Sequence, residues 1–299
     1  MIKEFHIVIK IIAILSIFLT ALQAQEMRNA TMGYLTDGMN DIKYKDTRIA
    51  FSMWLEDLAT KEFMDINMVY YDSSMNIVND FINYELDYLT LNPIFYLKNQ
   101  KIIDPWAEEF WVVNKGKNQL ESYLILVRED SDIKTLKDLK NKSVGTREDN
   151  YLGKMYLESE LLQVRRKYSR NYFKGYINTG KFSTAILNTF FGKVDACIVP
   201  SYTLDLVSEM NPSIKKSLRV IKRSEEIFFP ILAIFHINTQ KKIIDDFALS
   251  VKGLKESPRG RNILNLFKME GLRRISKEKI APMKEYYNNY LGLRKKYVK

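Results

Sequence analysis

Residues 84–93 read YELDYLTLNP, and residues 191–200 read FGKVDACIVP. In each stretch a helix-like segment ends in a tight connection, one Asp follows (Asp87 or Asp195), and a short apolar run closes at a polar residue or Pro. Continuous apolar runs between turn signals are typical of strands covered on both faces, as in parallel α/β sheets. Ligands of open α/β sheets bind beyond the carboxyl ends of such strands. The two stretches therefore predict two α/β lobes whose strand-end loops face a shared cleft.

Strand and helix patterns alternate through the first third of the chain. Apolar runs predict strands at residues 30–35, 66–70 and 88–91. Helical spacing of apolar residues predicts helices at residues 49–59, 76–84 and 94–99. Such alternation is typical of a parallel sheet with helices on both faces. We therefore assign the chain to the α/β class.

The first 24 residues have the pattern of a signal peptide. Lys3 and Lys10 precede an uncharged, mostly apolar run at residues 11–22, and Ala24 before Gln25 is the expected cleavage point. The run is shorter than the roughly 20 apolar residues that a bilayer span needs, so an uncleaved anchor is the second interpretation. We therefore expect an exported, periplasmic protein that is cleaved after Ala24.

The chain carries a formal net charge of +10 and a single Cys. Cys197 lies in an apolar run, so we expect a buried, inert thiol and no internal disulfide. The basic residues cluster late in the chain, in several separate segments. We expect these segments to be solvated surface, with attraction to anionic lipid as the weaker alternative. An exported protein rarely meets nucleic acid, so we expect no nucleic-acid partner.

Four stretches of the chain carry a resemblance to a known family. They read LDYLTLNPIFYL at residues 86–97, SDIKTLKDLKNKSVG at residues 131–145, GKVDACIVP at residues 192–200 and SPRGRNILNLF at residues 257–267. In this order they resemble the phosphate/phosphite/phosphonate-binding family of ABC-importer solute receptors. The resemblance implies a non-enzymatic receptor for a small molecule, without a cofactor, whose partner is an ABC permease of the inner membrane.

The resemblance also implies the type 2 periplasmic-binding-protein fold. In that fold two α/β lobes, joined by two crossover strands, close on a ligand in the cleft between them. The crossovers are then expected at residues 123–127 and 231–237. Lobe 1 is expected to consist of residues 25–122 and 235–299, and lobe 2 of residues 128–230.

The expected carboxyl ends of the strands carry polar and aromatic side chains. Ligand sites need a few well-placed polar groups among aromatics, and the strand-end loops supply them. The alternative is ordinary loop capping, because Asn, Ser and Thr are common at helix starts. The candidate ligand-binding residues are Thr36, Asp37, Thr90, Asn92, Tyr96, Thr146, Arg147, Tyr151, Ser201 and Tyr202.

One loop departs from the family pattern. Where the resembling receptors carry a Ser-Thr-Ser-Gly turn for the phosphoryl group, residues 146–151 read TREDNY. Glu148 and Asp149 would occupy the positive field of the helix start and repel a second anion. Arg147 could pair with a carboxylate or phosphate. The ligand class therefore stays open between a phosphonate-like anion, a zwitterion and a cation-bearing molecule.

Other conspicuous residues have a structural interpretation. We expect Asp87 and Asp195, at the amino ends of their strands, to cap neighbouring backbone N–H groups in the helix-to-strand turn. Trp54 lies on an apolar helical face, whereas Trp106 or Trp111 is a candidate to line the cleft.

Catalysis finds little support in the sequence. Beyond the predicted signal peptide the chain has one His, His236, which lies within an apolar run. No metal-site, nucleophile-elbow or P-loop pattern is present. We predict a solute receptor for an ABC importer. The alternatives are a sensory receptor of the same fold that signals to a membrane kinase or cyclase, and an exported enzyme acting on a small substrate.

Overall fold

The computed structural model describes residues 28–35, 64–71, 74–114, 120–165, 172–266 and 269–298. In this part of the chain eleven strands form two sheets, with helices packed against them. The strands are β1 (Arg28–Leu35), β2 (Met64–Tyr71), β3 (Tyr88–Leu91), β4 (Ala107–Asn114), β5 (Tyr123–Arg128), β6 (Ser143–Thr146), β7 (Gly175–Asn178), β8 (Ala196–Pro200), β9 (Leu218–Arg223), β10 (Leu232–His236) and β11 (Gly271–Ile275). The helices are α1 (Ser74–Ile82), α2 (Pro93–Ile103), α3 (Tyr151–Arg165), α4 (Phe182–Phe190), α5 (Ser201–Met210), α6 (Pro212–Ser217), α7 (Lys241–Gly253), α8 (Pro258–Leu266) and α9 (Lys277–Tyr297).

Each sheet combines parallel and antiparallel strands. The first sheet, the sheet of lobe 1, has the order β11-β4-β10-β3-β1-β2, and the second, the sheet of lobe 2, has the order β7-β6-β8-β5-β9. Strand β1 is parallel to β2 and β3, and β6 is parallel to β7 and β8. Strands β10 and β5 run antiparallel to their neighbours. The two-lobed α/β architecture predicted from the sequence is confirmed.

The chain passes between the sheets at a short antiparallel bridge. The Glu121 N–H donates to the Phe228 carbonyl oxygen at 2.7 Å, and the Phe228 N–H donates to the Glu121 carbonyl oxygen at 3.2 Å. The strands expected at the crossings, residues 123–127 and 231–237, begin just after this bridge, and each lies within a single sheet. The apolar pattern located both strands, but an apolar run carries no sign of which sheet it joins.

The last helix, α9, contacts both lobes. Lys284 Nζ lies 2.5 Å from Asp104 Oδ2, directly after α2 of lobe 1. On α3 of lobe 2, the Tyr290 hydroxyl donates to Glu158 Oε2 at 3.0 Å, and Arg294 Nε lies 3.3 Å from Glu158 Oε1. Buried apolar side chains from both sheets form one continuous cluster that includes Tyr290. Helix α9 therefore ties the lobes together.

Some predictions fall outside the described residues: the signal peptide at residues 1–24 with its cleavage point, and the helix at residues 49–59 with Trp54. Within the described residues, no helix combines the length and apolar character that a membrane span requires. The sequence patterns did not indicate β7, β11, α5 or α6. Strand β11 has the sequence GLRRI, in which charged residues break the apolar run.

Candidate ligand-binding site

Three strand ends of lobe 2 converge beside the bridge between the sheets. Strand β6 ends at Thr146, β8 ends at Pro200, and β5 begins opposite Pro200 at Tyr123. The Ser201 N–H donates to the Ser122 carbonyl oxygen at 2.8 Å, which fixes the start of α5 against the start of β5. Because strand-end loops are where α/β proteins bind ligands, this edge is the candidate site.

An Arg–Asp pair occupies the loop that follows β6. Arg147 Nε lies 2.8 Å from Asp149 Oδ1, and Arg147 Nη2 lies 2.5 Å from Asp149 Oδ2. The two side chains are 8% and 6% exposed. The guanidinium carbon lies 5.0 Å from the centre of the Phe182 ring, which adds an aromatic contact to the cation. Such a bidentate contact is the strong and orientation-specific form of an Arg–carboxylate pair.

The same loop caps the start of α3 with its own groups. Asn150 Oδ1 accepts a hydrogen bond from the Gly153 N–H at 3.1 Å, and the Tyr151 N–H donates to the Asp149 carbonyl oxygen at 2.8 Å. Asn150 Nδ2 donates to the Thr146 hydroxyl at 2.8 Å. A Cβ on Gly153 would lie 2.4 Å from Asn150 Nδ2, so the missing side chain makes room for this cap. Backbone N–H groups at a helix start often bind anions, but here those of Tyr151 and Gly153 already have acceptors in the same loop.

Tyr123 lies at the buried centre of the site. Burial raises the pKa of its hydroxyl well above the usual value, and neighbouring Glu121, Tyr202 and Asp149 raise this pKa further, whereas Arg147 acts in the opposite direction. These electrostatic neighbours come from the bridge, the β6 loop and the start of α5. The hydroxyl therefore stays protonated at neutral pH and is able to donate a hydrogen bond.

Strand β3 of lobe 1 also ends in a loop at the start of a helix. Asn92 is the N-cap of α2, and its Oδ1 accepts a hydrogen bond at 2.8 Å from a backbone N–H of the first turn. The buried Thr90 hydroxyl donates to the Tyr88 hydroxyl at 2.7 Å. The buried Tyr96 hydroxyl donates to Asp104 Oδ1 at 2.7 Å. All three predicted residues thus have partners within lobe 1, and Asn92 is the one that lies in the loop itself.

A model of the periplasmic phosphonate substrate-binding proteins of ABC transporters matches residues 43–280. The chain belongs to this family. The family consists of exported substrate-binding receptors that serve ABC transporters, which implies a small-molecule ligand and a permease partner. No relative among curated proteins matches the sequence.

Solved structures share the fold of this receptor at low sequence identity. XAC2383 from Xanthomonas citri, bound to ATP, has a TM-score of 0.61 and 13% identity, covering 91% of this chain and 99% of that chain. PhnD1 from Prochlorococcus marinus, in complex with methylphosphonate, has a TM-score of 0.58 and 13% identity, covering 87% and 97%. The aliphatic sulphonate binding protein SsuA from Escherichia coli has a TM-score of 0.50 and 15% identity, covering 90% and 88%. These similarities show the type 2 periplasmic-binding-protein fold.

The predicted site residues of lobe 2 lie at one edge of its sheet, but they differ in burial and in hydrogen bonding. The Thr146 hydroxyl donates to the Ile198 carbonyl oxygen at 2.8 Å and thereby links β6 to β8. Tyr151 begins α3 and is 43% exposed, and Ser201 and Tyr202 are half-buried at the start of α5. Thr36 and Asp37 lie outside the described residues.

Tyr123 and Glu121 are not among the predicted site residues. The prediction covers the carboxyl ends of strands, whereas β5 is antiparallel to β8 and contributes its amino end to this edge. The sequence offered one usable signal, because both residues lie at or just before the start of a strand predicted as a crossover.

The other conspicuous residues of the receptor lie away from this site. Trp111 packs on Phe247 in the core of lobe 1. The Trp106 ring stacks on the ring of the buried His236, with 5.8 Å between the ring centres. The His236 N–H donates to the carbonyl oxygen of Asp87, which precedes β3. His236 therefore lies at the amino end of β3, at the edge of the lobe 1 sheet opposite to Asn92. Burial lowers the pKa of His236, so the ring is neutral at pH 7. Within the described residues, no cluster of His, Cys, Asp and Glu is suited to a metal ion.

Proposed function

We propose that this receptor captures a small polar ligand, phosphonate-like in its acidic group, in the cleft between its lobes and delivers it to an ABC permease. The observation that carries the proposal is the convergence of Arg147, Tyr202 and the buried Tyr123 at the strand ends of lobe 2. This edge adjoins the bridge between Glu121 and Phe228. A ligand held there contacts the point about which the lobes move.

Each group at this edge has a chemical role in the proposal. The Tyr123 hydroxyl is protonated and donates to an acidic oxygen of the ligand. Tyr202 and Ser201 offer hydroxyl groups at the start of α5, which has no side-chain N-cap bond of its own. Asn92 contributes an amide from lobe 1. Polar groups from both lobes then favour the closed form, because only that form satisfies them together.

A ligand screen tests this proposal with two independent readouts. The exported protein, purified from the periplasm, is exposed to phosphate, phosphite, alkylphosphonates, sulfonates, amino acids and polyamines. A ligand at a hundred times its Kd stabilises the protein by about 2.7 kcal/mol, which thermal unfolding detects easily. Small-angle scattering with and without the ligand reports whether the lobes close.

The matched variants are Tyr202→Ala and Leu206→Ala. Leu206 lies one turn further along α5 and is exposed. We expect Tyr202→Ala to weaken binding at least tenfold and Leu206→Ala to leave it unchanged. A screen in which no compound raises the unfolding temperature would overturn the proposed function, as would a ligand that binds both variants like the wild type.

A further inference from the structure

A cavity of about 480 Å³ lies in lobe 1, between strands β4 and β11 and helices α7 and α8. Small-molecule sites in proteins have volumes of roughly 300–1,000 Å³. Every described residue that lines this cavity belongs to lobe 1, and none is a candidate residue of the site beside the bridge. The cavity is therefore a separate feature of the receptor, and the proposed function makes no use of it.

The floor of the cavity is apolar. It is lined by Trp111 of β4, by Leu264 of α8 and by Leu254 directly after α7, all of which are buried in the core between the sheet and these helices. Val251 of α7 and Leu272 of β11 also line it and are half-buried. An apolar group in the cavity would remove the remaining exposed surface of these side chains from water, which favours its binding.

The wall formed by the turn between α7 and α8 is held in place by close contacts. A Cβ on Gly260 would lie 2.0 Å from the Leu254 carbonyl oxygen, so the start of α8 lies directly against this turn. Arg261 Nη1 donates to the carbonyl oxygens of Lys255 and Glu256 at 3.1 and 3.0 Å. These contacts fix the backbone of two lining residues, Leu254 and Lys255, before any ligand binds.

The solvent side of the cavity is cationic. Lys252, Lys255 and Arg273 line it and are exposed, and within the described residues none of the three forms an ion pair. Arg274 also lines it, but a carboxylate oxygen of β4 lies 2.6 Å from its Nη2. Among the described lining residues, Glu270 is the only acidic one. A concave surface with this excess of positive charge raises the local concentration of anions.

We propose that this cavity is a second binding site of the receptor, for a small organic anion with an apolar body, such as a medium-chain carboxylate. The acidic group contacts the amines of Lys252 and Lys255, and the chain lies against Val251, Leu254 and Leu272. Because two strands and two helices enclose the ligand, the cavity suits a free molecule better than a lipid that stays in a bilayer. The inference does not rest on the proposed function.

Three compounds test the inference by calorimetric titration of the exported protein. They are octanoate, octanamide, which keeps the chain but not the charge, and acetate, which keeps the charge but not the chain. We expect octanoate to bind at least tenfold more tightly than either of the others. Absence of octanoate binding would overturn the inference, as would octanoate binding no tighter than that of octanamide or acetate.

A double variant tests the cationic side of the cavity. Lys252→Gln combined with Lys255→Gln should weaken octanoate binding at least tenfold. Lys215→Gln combined with Lys216→Gln makes the same change in charge at exposed positions on α6 of lobe 2, and we expect it to leave the affinity unchanged. An equal loss in the two double variants would show an effect of net charge alone and overturn the inference. The comparison of the three compounds needs no variant.

Tyr202→Ala separates this inference from the proposed function. Octanoate should bind this variant like the wild type, because Tyr202 does not line the cavity. Loss of octanoate binding in Tyr202→Ala would place the compound at the strand ends of lobe 2 and overturn the inference. Sedimentation with phosphatidylglycerol vesicles tests the other source of an acidic group on an apolar body. Vesicle binding that requires Lys252 and Lys255, without binding of octanoate, would overturn the inference in favour of a membrane surface.

Discussion

Asp195 Oδ2 accepts two hydrogen bonds from Ser143, one from the backbone N–H at 2.8 Å and one from the hydroxyl at 2.7 Å. In lobe 1, Asp87 Oδ2 accepts the N–H of Thr31 at 2.8 Å. Each Asp precedes a central strand, and each amide belongs to the parallel strand alongside, β6 next to β8 and β1 next to β3. Both acids do cap a backbone N–H group, as expected, but the prediction was wrong about where: the capped group lies on the neighbouring strand and not in the helix-to-strand turn. The repeated sequence pattern thus sets the register of a parallel strand pair in each lobe.

Replacing Asp195 with Asn should destabilise the protein by about 1–2 kcal/mol, because hydrogen bonds to a charged group are lost at a half-exposed site. Urea unfolding at pH 7 measures the change. Asp205→Asn is the matched control, since Asp205 is exposed and lies 3.8 Å from its nearest cation, Lys215. Equal free energies of unfolding for the wild type and Asp195→Asn would contradict the role of this contact.

The contribution of Asp195 should also depend on pH. Burial alone would raise its pKa, but the hydrogen bonds from Ser143 and the charges of Lys142 and Lys174 together hold the pKa below its usual value. A folded-state pKa below the unfolded one means that the stabilisation is present above the unfolded pKa and is lost as pH falls through the folded pKa. The difference between the wild type and Asp195→Asn should therefore shrink below about pH 4. A difference that stays constant down to pH 2 would count against this explanation.

The sequence was sufficient for the parts of the fold that local patterns determine. The apolar runs after Asp87 and Asp195 indicated β3 and β8, and Asn92-Pro93 indicated the start of α2, because turn and capping chemistry is local. The contact of α9 with α3 through Tyr290 could not be predicted, because it joins residues 132 positions apart.

The sequence selected the strand ends of lobe 2 as a candidate site, but it did not predict the contacts between the side chains there. The strand-end rule selected Arg147, in the loop after β6, and Tyr202, at the start of α5. In the structure both residues are electrostatic neighbours of Tyr123. The sequence also showed that Asp149 lies near Arg147, but not that the two side chains pair. That contact depends on the backbone path of a loop, which residue types alone do not fix.

The contact between α9 and α3 offers a second test of stability. Glu158 is a buried carboxylate on α3 that receives the Tyr290 hydroxyl and the Arg294 side chain from α9. Glu158→Gln should destabilise the protein by about 1–3 kcal/mol, because Arg294 loses its charged partner. Glu285→Gln on the exposed face of α9 is the control, with an expected change within about 0.5 kcal/mol. If both variants unfold at the same urea concentration, the contact does not contribute to stability.

Two glycines should respond to alanine in opposite directions. A Cβ on Gly260 in α8 would lie 2.0 Å from the backbone carbonyl oxygen of Leu254, so Gly260→Ala should cost about 1–3 kcal/mol as the backbone shifts. A Cβ on Gly292 in α9 would meet no atom within 4 Å. Gly292→Ala should stabilise the protein by about 0.5–1 kcal/mol through helix propensity. Thermal unfolding shows whether each variant is more or less stable than the wild type. A stabilised Gly260→Ala would show that α8 is packed differently.

The thiol of Cys197 should be unreactive in the folded protein. Burial raises its pKa to about 12, although a hydrogen bond with Thr189 acts in the opposite direction. An unfolded Cys has a pKa of about 8.5, and only the thiolate reacts, so iodoacetamide at pH 8 should modify the folded protein about 1,000-fold more slowly than the denatured chain. A Cys introduced at the exposed position by Glu209→Cys, in a Cys197→Ala background, controls for reagent access. Folded-state modification within about tenfold of the denatured rate would mean that β8 opens to solvent, because a thiol covered on both faces of its strand has no other route to the reagent.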